Sequence, residues 1–170
     1  NPYILEQTNM KIGLFYGSST CYTEIAAEKI RDTIGAELVE LHNIKEVPLE
    51  NCVDYEFLIF GISTWDYGEL QEDWESTWLD INKLNLNNKV VALYGMGDQI
   101  GYTAWFQDAL GMLHEQVIAQ GAKIIGFWPN QGYEFEASKA LTDENTFIGL
   151  CIDEDRQPEL TEARVDAWVK

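Results

Sequence analysis

The chain is short of positive charge, of histidine, of paired cysteine and of any long apolar run. Only 11 Lys and Arg stand against 29 Asp and Glu, a formal net charge of -18. That balance repels nucleic acid and anionic membranes, and leaves a basic or metal-bearing macromolecule as the expected partner. Two histidines, His42 and His114, are little material for a His-based dyad or metal centre. The three cysteines, Cys21, Cys52 and Cys151, are odd in number, widely spaced and not arranged as metal-ligand pairs. Neither a disulfide framework nor a zinc site is expected from them. No run approaches the roughly 18 apolar residues that span a bilayer. The N-terminus has neither a basic region nor an apolar signal core, so the expected location is cytoplasmic.

What is present is a globular composition. The 170 residues are 46% hydrophobic and 24% charged, enough for one domain with a sizeable core. Residues 10–170 read as that domain, and residues 1–9 as a remnant ahead of it. The last helical pattern is still running where the sequence ends, so the C-terminus reads as shortened.

The chain is organised around residues 10–34, MKIGLFYGSSTCYTEIAAEKIRDTI. A short apolar run over 11–16 reads as a buried strand. Ile25, Ala26, Lys29, Ile30 and Thr33 then recur at helical spacing, with Thr23 where an N-cap belongs. Between them lie Ser18, Ser19, Thr20, Cys21 and Tyr22. Hydroxyls at the mouth of a helix, where N–H groups lack partners and the dipole is positive, suit a phosphate. Lys11 and Lys29 bracket the stretch with no cation between them, so any phosphate would be held by neutral hydrogen bonds. An ordinary strand-to-helix turn with a good N-cap fits the same residues equally well.

Further along, Gly35 is placed to stop the helix and residues 37–42 alternate as an edge strand would. Residues 44–56 form a mixed connection with room for a short helix. Residues 57–62, FLIFGI, read as a fully buried strand, ending in the loop Ser63, Thr64, Trp65, Asp66, Tyr67, Gly68. A helix is expected over 71–84 with Trp74, Trp78, Leu79 and Ile81 on its inner face. Residues 89–94, KVVALY, read as a third buried strand running into the turn Gly95, Met96, Gly97, Asp98, Gln99, Ile100, Gly101, Tyr102. A long helix is expected over 103–120, stopped by Gly121. The apolar runs 123–128 and 147–152 read as one strand split by an irregular polar loop, 129–146, and Thr161 can cap a last helix. Strands alternating with helices imply right-handed crossovers, a parallel sheet and helices on both faces.

In such a sheet, ligands sit at the carboxyl ends of the strands, where the strand order switches. Three ends are distinctive. The first suits phosphate. The other two supply Trp65 and Tyr102, flat groups able to sandwich a planar ring at about 0.5–1.5 kcal/mol per pair beyond area burial. A phosphate joined to a planar heterocycle describes FMN. Either aromatic alone would read as a half-buried loop residue; together, after successive strands, they point to a ligand.

These residues resemble the flavodoxins, specifically the long-chain bacterial group and its enterobacterial type in particular. The family's phosphate loop, S/T-x-T-G-x-T, matches at Ser18, Thr20 and Thr23; its T-W-x-x-G loop at Thr64, Trp65 and Gly68; and its G-D-Q-x-G-Y turn at Gly97, Asp98, Gln99, Gly101 and Tyr102. Cys21 stands where the family has glycine, a substitution harmless at negative φ and strained at positive φ. The resemblance covers nearly all of 10–170. It implies a flavodoxin-like three-layer α/β sandwich with a five-stranded parallel sheet in the order 2-1-3-4-5, for which flavodoxin is the standing example, and a long-chain insertion splitting the last strand.

It also implies a one-electron carrier and not an enzyme, using non-covalently bound FMN between semiquinone and hydroquinone at low potential. The cofactor-binding set is then residues 18–23, 63–68, 95–99 and Tyr102. Acids near the ring, among them Asp66, Glu69, Asp73 and Asp98, would oppose reduction. One carboxylate about 10 Å away at an effective dielectric of about 40 costs the anion about 0.8 kcal/mol, or about 35 mV. The expected partners are basic redox proteins such as a ferredoxin/flavodoxin:NADP+ reductase, with a monomeric carrier. The rival reading is an FMN-dependent NAD(P)H:quinone oxidoreductase on the same fold. That enzyme needs cations by the flavin loops to dock a second nucleotide, and none occurs between Lys45 and Lys83 or between Lys89 and Lys123.

Overall fold

The computed structural model describes residues 11–17, 21–65, 68–101 and 103–169, and of Trp65 the backbone. The first apolar run forms strand β1, Ile12–Tyr16, and helix α1 follows at Tyr22–Ile34. Strand β2, Val39–Asn43, lies at one edge of the sheet. A 3₁₀ turn at Leu49–Asp54 leads to β3, Phe57–Trp65, and the two-residue β4, Glu69–Leu70, folds back antiparallel on the end of β3. Helix α2, Glu72–Ile81, is followed by β5, Val90–Met96, a 3₁₀ turn at Thr103–Trp105 and helix α3, Asp108–Ala119. Next come β6, Lys123–Ile125; β7, Trp128–Pro129; β8, Leu141–Asp143; β9, Thr146–Phe147; and β10, Leu150–Ile152. A last 3₁₀ turn, Pro158–Leu160, opens into α4, Thr161–Val169.

The main sheet runs β2-β1-β3-β5-β10, all parallel. Strand β6 also pairs with β5, along Val90 to Ala92, while β10 pairs with Tyr94 to Met96. The two together make one fifth strand interrupted by the insertion, as the sequence suggests, and the order is the expected 2-1-3-4-5. The insertion is not irregular throughout, however: β7, β9 and β8 form a small antiparallel sheet of their own.

Burial on both faces is why the strands read as unbroken apolar runs. Phe15, Leu58, Phe60, Ile62, Val91 and Leu93 pack with Trp74 and Ile81 of α2 and with Leu110, Leu113 and Val117 of α3. Leu14, Tyr16, Ile59, Ala92 and Tyr94 pack with Ala26 and Ile30 of α1 and Val165 of α4. This alternation puts α2 and α3 on one face, and α1 and α4 on the other. Among the described residues no helix is long and apolar enough to cross a membrane.

Several boundaries differ from the sequence reading, each for a tertiary reason. Ile25 faces out, because the inner face of α1 runs through Thr23, Ala26, Ala27 and Ile30 at i, i+3, i+4, i+7. Leu79 is 75% exposed, since the inner face of α2 runs through Trp74, Trp78 and Ile81 at i, i+4, i+7. Strands β3 and β5 run further than their apolar runs, so Ser63, Thr64 and Trp65, and likewise Gly95 and Met96, are strand residues and not loop. The long helix over 103–120 is broken: Gln107 takes φ 60, ψ 25, and the α-helix begins only after it. Its buried amide donates to the carbonyls of Gly95 and Ile152, both at 3.1 Å, which holds that kink.

Candidate functional site

The carboxyl ends of β1, β3 and β5 lie side by side, with Tyr16 in register with Gly61, and Ser63 with Met96. Strand β1 has β2 on one side and β3 on the other, so the chain's crossovers diverge here. The sequence therefore brings its three distinctive strand ends to one edge, at the switch in strand order.

The first end passes from Gly17 to Cys21. Ser18, Ser19 and Thr20 lie outside the described residues. A Cβ on Gly17 would stand 2.2 Å from Gln71 Oε1 and 2.9 Å from Trp74 Cδ1, so a glycine is required where this loop crosses the start of α2. Cys21 is exposed and takes the left-handed conformation, φ 70, ψ -7, and it makes no side-chain capping bond. That settles the sequence alternative: the position needs positive φ, and Cys21 carries the strain a glycine would avoid. Thr23 is not the N-cap. It lies inside α1, 1% exposed, and its Oγ1 shares a 2.9 Å hydrogen bond with Ser63 Oγ. Its carbonyl accepts from the hydroxyl of the fully buried Tyr94 at 2.9 Å. Tyr22 is exposed beside it. The first intrahelical bond runs from Ile25 N–H to the Cys21 carbonyl. Among the described residues, Cys21 gives the N–H groups ahead of it no side-chain cap.

The second end is a tight return from β3 to β4. Asp66 and Tyr67, with the side chain of Trp65, lie outside the described residues. Gly68 closes the return at φ 85, and a Cβ there would come within 2.9 Å of Asp108 Oδ2 and 3.1 Å of Trp105 Cδ1. The second loop therefore lies against the segment that leads into α3. Thr64 does not point at the loop: its Oγ1 accepts from Ala109 N–H at 2.9 Å, capping α3 from another element. Burial pushes the Asp108 carboxyl up, while the bond it accepts from Lys139 N–H and that residue's charge oppose the shift.

The third end holds Gly95 and Met96 inside β5, and Gly97 N–H donates to the Ile152 carbonyl at 3.0 Å. Asp98 Oδ1 accepts from Ile100 N–H at 3.0 Å and from Gly101 N–H at 2.7 Å, and Arg156 Nε donates to it at 3.0 Å. Partial burial pushes the Asp98 carboxyl up, but the Gly101 and Ile100 bonds and the guanidinium outweigh it and hold the group below the usual carboxylate range. Gln99 is buried, with its N–H on Asp153 Oδ2 at 2.9 Å and its Oε1 accepting from Glu134 N–H. Tyr102 lies outside the described residues.

The sequence reading missed two participants. Arg156 reaches the third turn from beyond β10, so the count of cations along the loops themselves did not find it, and the charge of Asp98 is paired, not bare. As the lone cation in the acid run 153–156, DEDR, it carried the signal that could have found it. Gln107 is legible only from its tertiary bonds.

A family model described as Flavodoxin matches residues 14–168. Flavodoxin 2 of Salmonella typhi is 55% identical over 160 residues, 94% of this chain and 92% of that protein. A Nostoc flavodoxin is 46% identical over 159 residues, 94% of this chain and 93% of its own length. Among solved structures, a Fusobacterium nucleatum flavodoxin bound to flavin mononucleotide superposes with a TM-score of 0.85 at 28% identity, covering 94% of each chain.

Proposed function

The chain belongs to the flavodoxin family, and from that premise we propose that it is a low-potential one-electron carrier holding FMN non-covalently at the edge formed by β1, β3 and β5. The observation that carries the reading is the start of α1, which Thr23 ties to Ser63 and Tyr94 on that edge. Its first N–H groups take no bond from the Cys21 side chain, and a phosphomonoester is the group they suit. Bound FMN supplies the redox chemistry, taking up and giving out one electron at a time.

The protein's own residues bind, orient and shield it. Residues 18–23 take the phosphate through neutral donors. Residues 63–68 and 95–99, with Tyr102, would border the planar ring, and Trp65 and Tyr102 are the aromatics that would flank it. Glu69 and Asp73 oppose the gain of negative charge there. Asp98 does so less, its charge being shared with Arg156. That same pairing counts against a quinone reductase, since the cation standing against the third turn is already engaged by a carboxylate. With a net charge of -18, the carrier meets basic redox proteins, a ferredoxin/flavodoxin:NADP+ reductase being the expected donor.

The test is a fluorescence titration of the flavin-free protein with FMN and with riboflavin. FMN is expected to bind far more tightly, because riboflavin leaves the α1 N–H groups without an anion. Equal affinities would remove the phosphate assignment.

A further inference from the structure

Among the described residues, the hydroxyl expected to cap the last helix caps nothing. Thr161 is the first residue of α4 and is 1% exposed, yet its Oγ1 has no hydrogen-bond partner there. Two neighbours share this condition. Gln157 and Arg164 both reach the carbonyl of Gly132, Gln157 Nε2 donating at 2.8 Å and Arg164 Nη2 at 3.3 Å. The other terminal atom of each, Gln157 Oε1 and Arg164 Nη1, is buried without a partner among the described residues. Spaced by four residues and then three, the side chains of Gln157, Thr161 and Arg164 line one face of the last 3₁₀ turn and the start of α4. The shared carbonyl brings the ends of the first and last together.

The charge at this place is unbalanced. Arg164 is 8% exposed, and its contacts are neutral: the Gly132 carbonyl and the Tyr133 ring, whose centroid lies 4.0 Å from the guanidinium. Among the described residues no carboxylate forms an ion pair with it. The buried Asp153 carboxylate is taken up by the N–H groups of Gln99, Asp155 and Arg156. Burial pushes the Tyr133 hydroxyl and the Cys151 thiol up, so neither ionises to supply a negative charge. A buried charge is costly unless it is paired and hydrogen-bonded. A cation in the first turn of a helix also meets the positive end of the helix dipole.

We propose that Arg164 Nη1 and Thr161 Oγ1 bind a small inorganic anion of chloride size, held between the start of α4 and the insertion at Gly132. Both atoms donate to it. Gln157 Oε1, the one pure acceptor of the three, accepts from a water that also donates to the anion. The size follows from enclosure: all three atoms are shut away from the surface, which favours a single-atom ion over a polyatomic one. The anion neutralises the guanidinium and gives the helix start the negative charge that it lacks. It binds only where α4 and the insertion are folded together, so it stabilises the folded state by mass action. The site is separate from the flavin edge and does not depend on it. A chain at -18 repels anions in general, so an anion that binds it does so for local reasons.

The test uses the FMN-loaded protein with FMN in fixed excess, so that the added salt does not compete for the start of α1. Urea midpoints are measured as sodium chloride replaces sodium gluconate at constant ionic strength, gluconate being too large for the site. The folded-to-unfolded ratio is expected to rise with chloride, approaching tenfold for each tenfold in concentration once chloride exceeds its Kd. Thr161→Val keeps the shape and removes a donor, and should need more chloride for the same gain, while Thr161→Ser should follow the wild type. Arg164→Gln should lose the chloride dependence. Equal midpoints in the two salts would leave the three atoms to water and overturn the proposal. A chloride gain that survives unchanged in Arg164→Gln would place the anion elsewhere, and would overturn it too. Wild-type crystals grown in sodium bromide need no variant: an anomalous peak beside Arg164 Nη1 and Thr161 Oγ1 is expected, and density there without anomalous signal would remove the site.

Discussion

Cys21 holds a left-handed conformation at φ 70, where a Cβ costs about 1–2 kcal/mol. Glycine relieves that strain but loses more chain entropy on folding, about 0.5–1 kcal/mol. The net expectation for Cys21→Gly is a gain of roughly 0.5–1 kcal/mol, read from urea midpoints of the flavin-free protein. Cys21→Ala keeps the Cβ and is expected to gain nothing, so equal gains in the two variants would sink the strain argument. Asp98 makes a second prediction, in pH. Its folded carboxyl lies below the ordinary range, which for an acid means stability that is present above the unfolded pKa of about 3.9 and lost as pH falls through the folded value. The stability gap between wild type and Asp98→Asn is therefore expected to narrow as pH drops from about 5 toward 2. A gap that stays constant across that range would show that the Asp98 charge contributes nothing to it. The residue scale is also where the sequence was least legible. That Cys21 occupies a glycine position was readable, but the sign of its φ, the pairing of Asp98 with a residue 58 positions away and the inward turn of the Thr23 hydroxyl are set by tertiary contacts.

Elements were legible to the extent that burial wrote them into the sequence. The central strands are covered on both faces, so they stand out as apolar runs, and the three strand-end motifs mark the edge where they stop. The starts of helices were misread wherever the cap comes from elsewhere in the chain. Helix α3 is the clearest case: its local sequence offers Thr103 as a start, but the chain turns through Gln107 in the left-handed region, and the N–H of Ala109 is satisfied by Thr64 at the end of β3. A cap of this kind joins the end of β3 to the helix behind it. Thr64→Val keeps the shape and removes the acceptor, and the expected loss is about 0.5–2 kcal/mol, the usual range for an N-cap. The urea midpoint should fall with the slope unchanged, and Thr64→Ser should recover most of the loss. If valine and serine were equally stable, the hydroxyl would have no capping role. The small antiparallel sheet of the insertion was not legible, because its strands are two or three residues long and carry no detectable period.

At the scale of the whole molecule the dominant fact is a charge of -18 on 170 residues, and its distribution decides what that charge does. Glu69 and Glu72 are exposed where β4 meets α2, directly after the second loop, and Asp73 lies beside them. Asp73 also accepts from Gln71 Nε2 at 2.9 Å, which holds its carboxylate against the start of the helix. Negative charge within the first turn of α2 is favourable to the helix itself, so part of this cluster has a local purpose independent of any partner. A carrier must also bring its flavin edge to a donor, and an acidic surface beside that edge attracts a basic reductase over a distance that salt shortens to about 8 Å at physiological ionic strength. The two roles separate by experiment. If the cluster steers encounter, the rate of reduction by a ferredoxin/flavodoxin:NADP+ reductase falls steadily as ionic strength rises, and replacing Glu69, Glu72 and Asp73 together by Gln, Gln and Asn both slows the low-salt rate and flattens its salt dependence. If the cluster serves only the helix, the triple variant loses stability in urea while its rate keeps the wild-type salt slope. Stopped-flow rates across a salt series, taken beside unfolding curves of the same two proteins, decide between them, and an unchanged slope in the triple variant would place the docking surface on another part of the molecule.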